Sequence, residues 1–127
     1  VVAGVHLSLG EKYRSIQLEY LRQQLHDYKH VAVMGDFNCL PEHLVDSPLA
    51  ELELHSPESG LLTFPSWSPD RHIDHILLSP TLQATQMEVI DGCRLSDHLP
   101  LSTEILLPED VLEAARHAQL GITNQAV

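Results

Sequence analysis

The order strand, helix, strand at the start of the chain constrains the fold more than any other feature. Residues 1–7 and 31–34 are short apolar runs of the kind found in strands, and residues 11–28 form an amphipathic helix between them. The helix carries its apolar residues at helical spacing: Leu18, Leu21, Leu25 and Tyr28. This order predicts a crossover unit of an α/β domain, although the sequence does not fix the direction of the strands.

The rest of the chain continues the alternation. A short helical turn is predicted for residues 41–52, and a polar and aromatic connection for residues 61–69. Strands are predicted at residues 72–78, 83–90 and 99–107. Pro108, followed by two acidic residues, predicts the start of a final helix, and Gly121 predicts its end.

Composition limits the function classes. The 127 residues suit one domain, with 43% hydrophobic and 20% charged residues, and no apolar run approaches the length of a membrane span. The 18 acidic residues outnumber the 7 basic ones, which gives a net charge of −11. A broad basic face for nucleic acid is therefore excluded, and a polyanionic substrate would require a divalent metal. Cys39 and Cys93 form no close pair, so we expect a reducing, cytoplasmic location.

The motif Gly-Asp-Phe-Asn follows the second strand directly. It delivers Asp36 and Asn38 together at the strand end. A carboxylate and a carboxamide two residues apart can hold a metal-bound phosphate from one side. Alone, a motif of this length is weak evidence, and its weight depends on the other polar clusters.

Two such clusters centre on Asp74 and His98. On a strand, His72 and Asp74 would point one way and His75 the other. Asp74 lies among apolar neighbours, so it is either a solvated strand end or a carboxylate that orients a histidine. The segment Ser-Asp-His at residues 96–98 offers that histidine, although an ordinary polar loop explains it equally well.

His6, at the end of the first strand, has two interpretations. Most histidines between apolar neighbours belong to the core or its boundary, and a minority act as acid or base. A histidine-rich transition-metal site would require three converging histidines, and no strong zinc motif occurs.

The order of five motifs carries a resemblance. They are His6-Leu7, Gly-Asp-Phe-Asn at 35–38, Thr-Phe-Pro-Ser at 63–66, Ile-Asp-His-Ile-Leu at 73–77 and Ser-Asp-His-Leu-Pro at 96–100. Together they resemble the endonuclease/exonuclease/phosphatase superfamily, which has a deoxyribonuclease-I-like fold, over residues 1 to about 107. The context of residues 63–67 and 71–74 is most similar to bacterial members.

The resemblance implies roles for the polar residues. Asp36 and Asn38 would lie against the scissile phosphate, with Asp36 also near the metal and the attacking water. Asp97 resembles a metal ligand of the family, so the implied metal residues are Asp97, Asp36 and Asn38. His98, held by Asp74, resembles the histidine that binds phosphate and assists proton transfer, and His6 resembles a second acid or base. The implied cofactor is Mg²⁺, with Mn²⁺ as an alternative.

The chain departs from the family in its length. The family domain is a four-layer α/β/β/α sandwich, and its first half supplies an Asn and a Glu ligand that have no counterpart here. We therefore expect an α/β fold that is the second half of this sandwich, with one mixed, mainly antiparallel sheet and a flanking helix layer. Residues 1–107 would form the half-domain and 108–127 a helical extension. Such a half would be inactive alone and would self-associate through its exposed sheet face.

The leading hypothesis is a magnesium-dependent phosphoester hydrolase of the phosphodiesterase or nuclease type, whose activity needs the first half. The implied substrates are nucleic acids, phospholipid head groups or small phosphodiesters. The alternative is a non-catalytic interaction module that retains the fold, and a third hypothesis is the histidine-rich metal binder.

Overall fold

The protein is described by a computed structural model that covers residues 1–92 and 95–123, with side chains described up to residue 119. The elements, in chain order, are β1 (Val2–His6), α1 (Glu11–Leu25), β2 (Ala32–Asp36), α2 (Glu42–Val45), a 3₁₀ helix (Pro48–Leu52), β3 (Asp74–Leu78), β4 (Gln83–Val89), β5 (Leu101–Leu106) and α3 (Glu109–Thr123). Cys39 is free and buried, and Cys93 lies outside the described residues. None of the described helices is long and apolar enough to cross a membrane.

Two sheets form the framework. β1 and β2 pair through the α1 crossover, as the order of elements predicts, and they run parallel, a direction that the sequence left open. β2 pairs with β3 in antiparallel orientation. β4 and β5 form a separate antiparallel pair. The α/β class and the half-sandwich expected from the resemblance are confirmed, but the strands form two hydrogen-bonded sheets instead of one. Just before β5, the Leu99 N–H donates to the carbonyl oxygen of Thr63, which lies outside both sheets.

Each face of the three-stranded sheet has its own core, because successive side chains of a strand point to opposite faces. On one face, Val33 and Leu77 pack with Leu18 of α1 and Leu49 of the 3₁₀ helix. On the other face, the core joins strands β2 and β3 to the β4–β5 pair. Its buried members are Ala32, Leu61, Ile76, Leu78 and Met87. These two cores fix β2 and β3 between helices and hairpin, and so fix the ends of both strands.

Most strand boundaries shift by one or two residues from the predicted ones, and three differences between predicted and observed boundaries have a local explanation. α1 ends at Leu25 instead of residue 28, because the chain turns tightly and the Tyr28 N–H donates to the Leu25 carbonyl oxygen. β3 begins at Asp74 instead of residue 72, so the strand alternation does not apply to His72. α3 continues through Gly121 to Thr123, because glycine lowers helix stability without ending a helix by itself.

The start of α3 is attached to the loop between α1 and β2 by polar contacts. Asp110 accepts a hydrogen bond from Lys29 Nζ at 2.8 Å and lies 3.0 Å from His30 Nε2. Hydrogen bonds from Lys29 and His30 hold the pKa of Asp110 well below its usual range. Residues 113–119 of the helix are exposed.

Candidate active site

A row of polar side chains crosses one end of the three-stranded sheet. The register pairs His6 with Asp36, and Asp36 with Asp74. Paired residues of neighbouring strands point to the same face. Because β3 is antiparallel to β1 and β2, the strands β1 and β2 end and β3 begins at this end of the sheet. The fold therefore brings together three residues that are far apart in sequence.

Gly35 allows β2 to pass close to β1 just before this row. Its φ is +138°, and a Cβ added there would lie 2.0 Å from the carbonyl oxygen of Val5. Only glycine adopts this backbone conformation readily. The glycine of the Gly-Asp-Phe-Asn motif therefore sets the close approach of the strands that positions Asp36.

Asp36 and Asn38 are fixed by a tight turn. The Asn38 backbone N–H donates to Asp36 Oδ1 at 2.8 Å, and Asn38 Nδ2 donates to the Leu7 carbonyl oxygen at 2.6 Å. Asn38 has a left-handed φ of 51°, which asparagine tolerates better than most residues. The other carboxylate oxygen, Asp36 Oδ2, lies 3.6 Å from Nε2 of the exposed His6. Asn38 thus braces the strand ends, and Asp36 keeps one oxygen facing the row.

Asp74 holds His98, as the resemblance implies. His98 Nδ1 lies 2.7 Å from Asp74 Oδ2, which also accepts a hydrogen bond from the Thr63 hydroxyl. His98 Nε2 faces Asp36 Oδ2 at 3.8 Å. Partial burial would lower the pKa of His98, but the hydrogen bond and charge of Asp74, with smaller contributions from Asp36 and Asp97, raise it above the ordinary histidine value. The imidazole is therefore oriented and biased toward its cationic form.

The segment 63–66 positions Asp74 and His98, a role that the sequence analysis did not predict. Thr63 is fully buried where it donates to Asp74. The Phe64 ring lies 4.8 Å from the His98 ring, between centroids. Ser66 Oγ donates to the Ser96 carbonyl oxygen, and the Ser66 N–H donates to that of Asp97. In the sequence, this positioning role was indicated only by a Thr and a Ser inside an otherwise apolar and aromatic stretch.

A candidate metal centre coincides with the row. Among the described residues, ligand atoms of Asp36, Asp74 and His98 lie within 4.8 Å of one another. Asp36 Oδ2 suits Mg²⁺, which takes one or two carboxylates and fills its remaining positions with water and phosphate oxygens. Asp74 Oδ2 is less suited, because it already accepts two hydrogen bonds.

Two predicted metal ligands, Asp97 and Asn38, are not part of this group. Asp97 is exposed and outside this cluster, with Oδ1 3.3 Å from the hydroxyl of Ser96. The Asn38 side chain donates toward Leu7. The arrangement can therefore hold a divalent ion through Asp36 and keep an imidazole beside it, and the metal roles of Asp97 and Asn38 remain predictions.

His72 and His75 belong to the protein interior behind the row. Their rings stack at 4.5 Å between centroids, so the expectation that they point apart is wrong, because His72 precedes the strand. His75 Nε2 donates to the Cys39 carbonyl oxygen at 2.8 Å, whereas the buried His72 Nε2 has no hydrogen-bond partner among the described residues. Burial lowers the pKa of both imidazoles. Neither histidine faces the row.

The comparison with protein families decides the assignment. Residues 3–98 match the Endonuclease/Exonuclease/phosphatase family. The chain belongs to this family. A comparison with curated protein sequences finds no match. The matched range includes every residue of the row and the segment that positions His98, so the site described above lies within the family domain.

Solved structures of the family's fold align with most of this chain. A conserved protein of unknown function from Enterococcus faecalis V583 is 22% identical with a TM-score of 0.64, over 84% of this chain and 50% of its own. A Bacteroides thetaiotaomicron VPI-5482 protein named a mannosyl-6-phosphatase is 22% identical with a TM-score of 0.63, over 82% and 50%. A Bacteroides thetaiotaomicron endonuclease/exonuclease/phosphatase family protein is 18% identical with a TM-score of 0.68, over 84% and 48%. The chain thus spans about half the length of these structures and shares the fold of that half.

Proposed function

We propose that this chain supplies the phosphate-contacting half of a magnesium-dependent phosphoester hydrolase. One observation carries the proposal: a cation-biased His98, held by Asp74, faces the carboxylate of Asp36 at 3.8 Å across an accessible row. A cationic imidazole and a carboxylate side by side can divide the work at one phosphate, the imidazole donating to a phosphate oxygen or to the leaving oxygen and the carboxylate orienting the attacking water. Membership of the family supports phosphoester hydrolysis as the reaction class.

The side chains divide the work by their protonation. His98, with Nδ1 donating to Asp74, presents Nε2–H to a phosphate oxygen or to the leaving oxygen. Asp36 Oδ2 accepts a hydrogen bond from the attacking water and then takes its proton. The exposed His6, with Nε2 3.6 Å from Asp36 Oδ2, can pass this proton on to solvent. Asn38 maintains the turn that aims Asp36. Mg²⁺ bound at Asp36 would neutralise phosphate charge and lower the pKa of bound water.

The proposed substrates are phosphoesters with small groups: phosphodiesters, phospholipid head groups or nucleic acid ends. The net charge of −11 disfavours long nucleic acid held by this half alone. The similar structure named a mannosyl-6-phosphatase supports a phosphate ester as the common element. We further propose a cytoplasmic enzyme in which residues 1–107 are the catalytic half-domain and 108–127 an extension.

Phosphate binding by the isolated chain tests the proposal without requiring turnover. Backbone and imidazole NMR signals are followed while Mg²⁺ and dimethyl phosphate are added together. We expect saturable shifts at Asp36, Asn38 and His98 that are lost in His98→Ala. The matched control is His43→Ala, which removes an exposed histidine outside the row. Equal binding by both variants, or shifts confined to other surfaces, would refute the site.

A further inference from the structure

His30 lies between the start of α3 and the turn that joins β3 to β4. Its side chain is 16% exposed. His30 Nδ1 lies 2.9 Å from the hydroxyl oxygen of Thr81, and Nε2 lies 3.0 Å from Oδ2 and 3.1 Å from Oδ1 of Asp110. Both ring nitrogens therefore have a polar partner, and these partners determine which nitrogens must carry a proton.

The Thr81 hydroxyl has a single hydrogen, and it is donated to the Lys29 carbonyl oxygen. This contact is 2.8 Å long, and a carbonyl oxygen can only accept. The other neighbours of the Thr81 oxygen must therefore donate to it. Ser79 Oγ lies 2.9 Å away and can do so while it accepts from the Val31 N–H. His30 Nδ1 is then the second donor to Thr81.

The Asp110 carboxylate can likewise only accept, so its contact with His30 requires a hydrogen on Nε2. A neutral imidazole has one N–H and cannot donate to Thr81 and Asp110 together. The imidazolium form satisfies every contact of this network. Hydrogen bonds from Lys29 and His30 hold the pKa of Asp110 below its usual range, so its carboxylate stays ionised wherever histidine side chains titrate.

The charged groups around His30 come from three segments. Asp110 belongs to α3, and Lys29 precedes His30 in the loop and donates to the same carboxylate at 2.8 Å. The amino group of Val1 donates to the His30 carbonyl oxygen at 2.7 Å. The hydroxyl groups of Ser79 and Thr81 are neutral. Among these groups, Asp110 is the one that favours a positive imidazole, and the two amines oppose it.

The attachment of α3 depends on this carboxylate. None of the described strands and helices packs broadly against α3, and residues 113–119 are exposed. The contacts of Asp110 with the loop between α1 and β2 are therefore a main part of the attachment. A helix of 15 residues, the length of α3, is only marginally stable in water without such contacts.

We propose that attachment of α3 is coupled to the uptake of one proton by His30. The attached state holds one more proton than the detached state, so attachment is favoured at low pH and weakens as pH rises. The proton returns to solvent, and Nε2 then turns a lone pair toward the carboxylate. His30 precedes β2 and Asp36 ends it, so this coupling lies at the opposite end of the strand from the candidate active site.

Trypsin cleavage after Arg116, at the centre of α3, measures detachment in the complete 127-residue chain. The fragment 117–127 is quantified by mass spectrometry at about pH 6 and about pH 8. Each rate is divided by that of His30→Gln at the same pH, which removes the pH dependence of trypsin because glutamine takes up no proton. We expect this ratio to rise by about fivefold between the two pH values. A constant ratio would overturn the proposal.

Thr81→Val tests the assignment of the protons. Without the hydroxyl, a neutral His30 can place its hydrogen on Nε2 and still donate to Asp110, so the rise with pH should disappear. Thr81→Ser is the matched control and should retain the rise. An undiminished rise in Thr81→Val would overturn the proposal, because plain attraction between charges would then explain it.

The ¹⁵N shifts of the His30 ring give a second measurement, which also serves if Thr81→Val does not fold. At about pH 6 in the unmodified chain, both nitrogens should carry a proton, and the shifts should change with the same midpoint as the cleavage ratio. A neutral ring with α3 still protected from trypsin would overturn the proposal.

Discussion

Replacement of Gly35 by alanine should destabilise the protein severely and displace Asp36. An added Cβ would lie 2.0 Å from the Val5 carbonyl oxygen, where real Cβ contacts essentially never fall below 3.0 Å, so the strands would have to separate by about 1 Å. The obstacle is backbone held in a ladder and cannot swing aside as a long side chain could. The φ of +138° adds strain of ~1–3 kcal/mol for a residue with a Cβ.

Loss of one or two ladder hydrogen bonds adds ~1 kcal/mol each. The total of ~2–5 kcal/mol is a large part of the ~5–15 kcal/mol by which domains are stable. Urea denaturation followed by circular dichroism measures the free energy of unfolding. Gly4→Ala is the matched control, because it adds the same methyl group to the neighbouring strand in open space. A loss below ~1 kcal/mol in Gly35→Ala, with His98 still hydrogen-bonded to Asp74 by NMR, would refute the reasoning.

Three further predictions concern the buried polar groups and the reaction. Thr63→Val should lose ~1–3 kcal/mol of unfolding free energy, because it removes the hydroxyl donor to Asp74, and Thr63→Ser should retain most of it in the same urea assay. His72 and His75 have lowered pKa values when folded, so the stability tied to their neutral forms is present above the ordinary histidine pKa and is lost as pH falls through the lowered values. Conversely, the raised pKa of His98 contributes stability below the ordinary value that is lost as pH rises through the raised one. When the urea midpoint is plotted against pH, His72→Leu should therefore reduce its fall on the acid side. An unchanged fall would show that the buried His72 is not a cause of the acid destabilisation. The isolated chain with Mg²⁺ should not cleave bis(p-nitrophenyl) phosphate. In any active protein that combines this chain with the first half of the family domain, Asp36→Ala and His98→Ala should each reduce cleavage by ~100-fold or more with unchanged circular dichroism. Full activity in both variants would exclude their proposed roles.

Local pattern was sufficient for the elements that carry the site. The apolar run before Gly35 predicts β2, because this strand is buried on both faces, and the amphipathic repeat before it predicts α1, because this helix buries one face. The same reasoning could not predict that Asn38 would donate to Leu7, since that contact depends on the parallel approach of β1.

The hydrogen bond from Thr63 to Asp74 could not be predicted, for a related reason. A buried threonine has no periodic pattern of its own, and its partner Asp74 is brought close only by the loop that folds back on β3. The stacking of His72 on His75 depends on a strand boundary, and boundaries are set by tertiary contacts more than by residue type. The separation of the strands into two sheets is likewise a tertiary outcome, which the residue pattern of each strand does not specify.

The attachment of α3 through Asp110 has a consequence for how the protein responds to its solvent. The Lys29 and Asp110 side chains of this contact are 67% and 51% exposed, so dissolved ions can compete with it. The cores on either face of the sheet are apolar, and salts such as sulfate strengthen apolar burial. Rising ionic strength should therefore loosen the helix while leaving the sheet intact, and the C-terminal segment would become sensitive to proteases under conditions in which the domain itself is firmly folded.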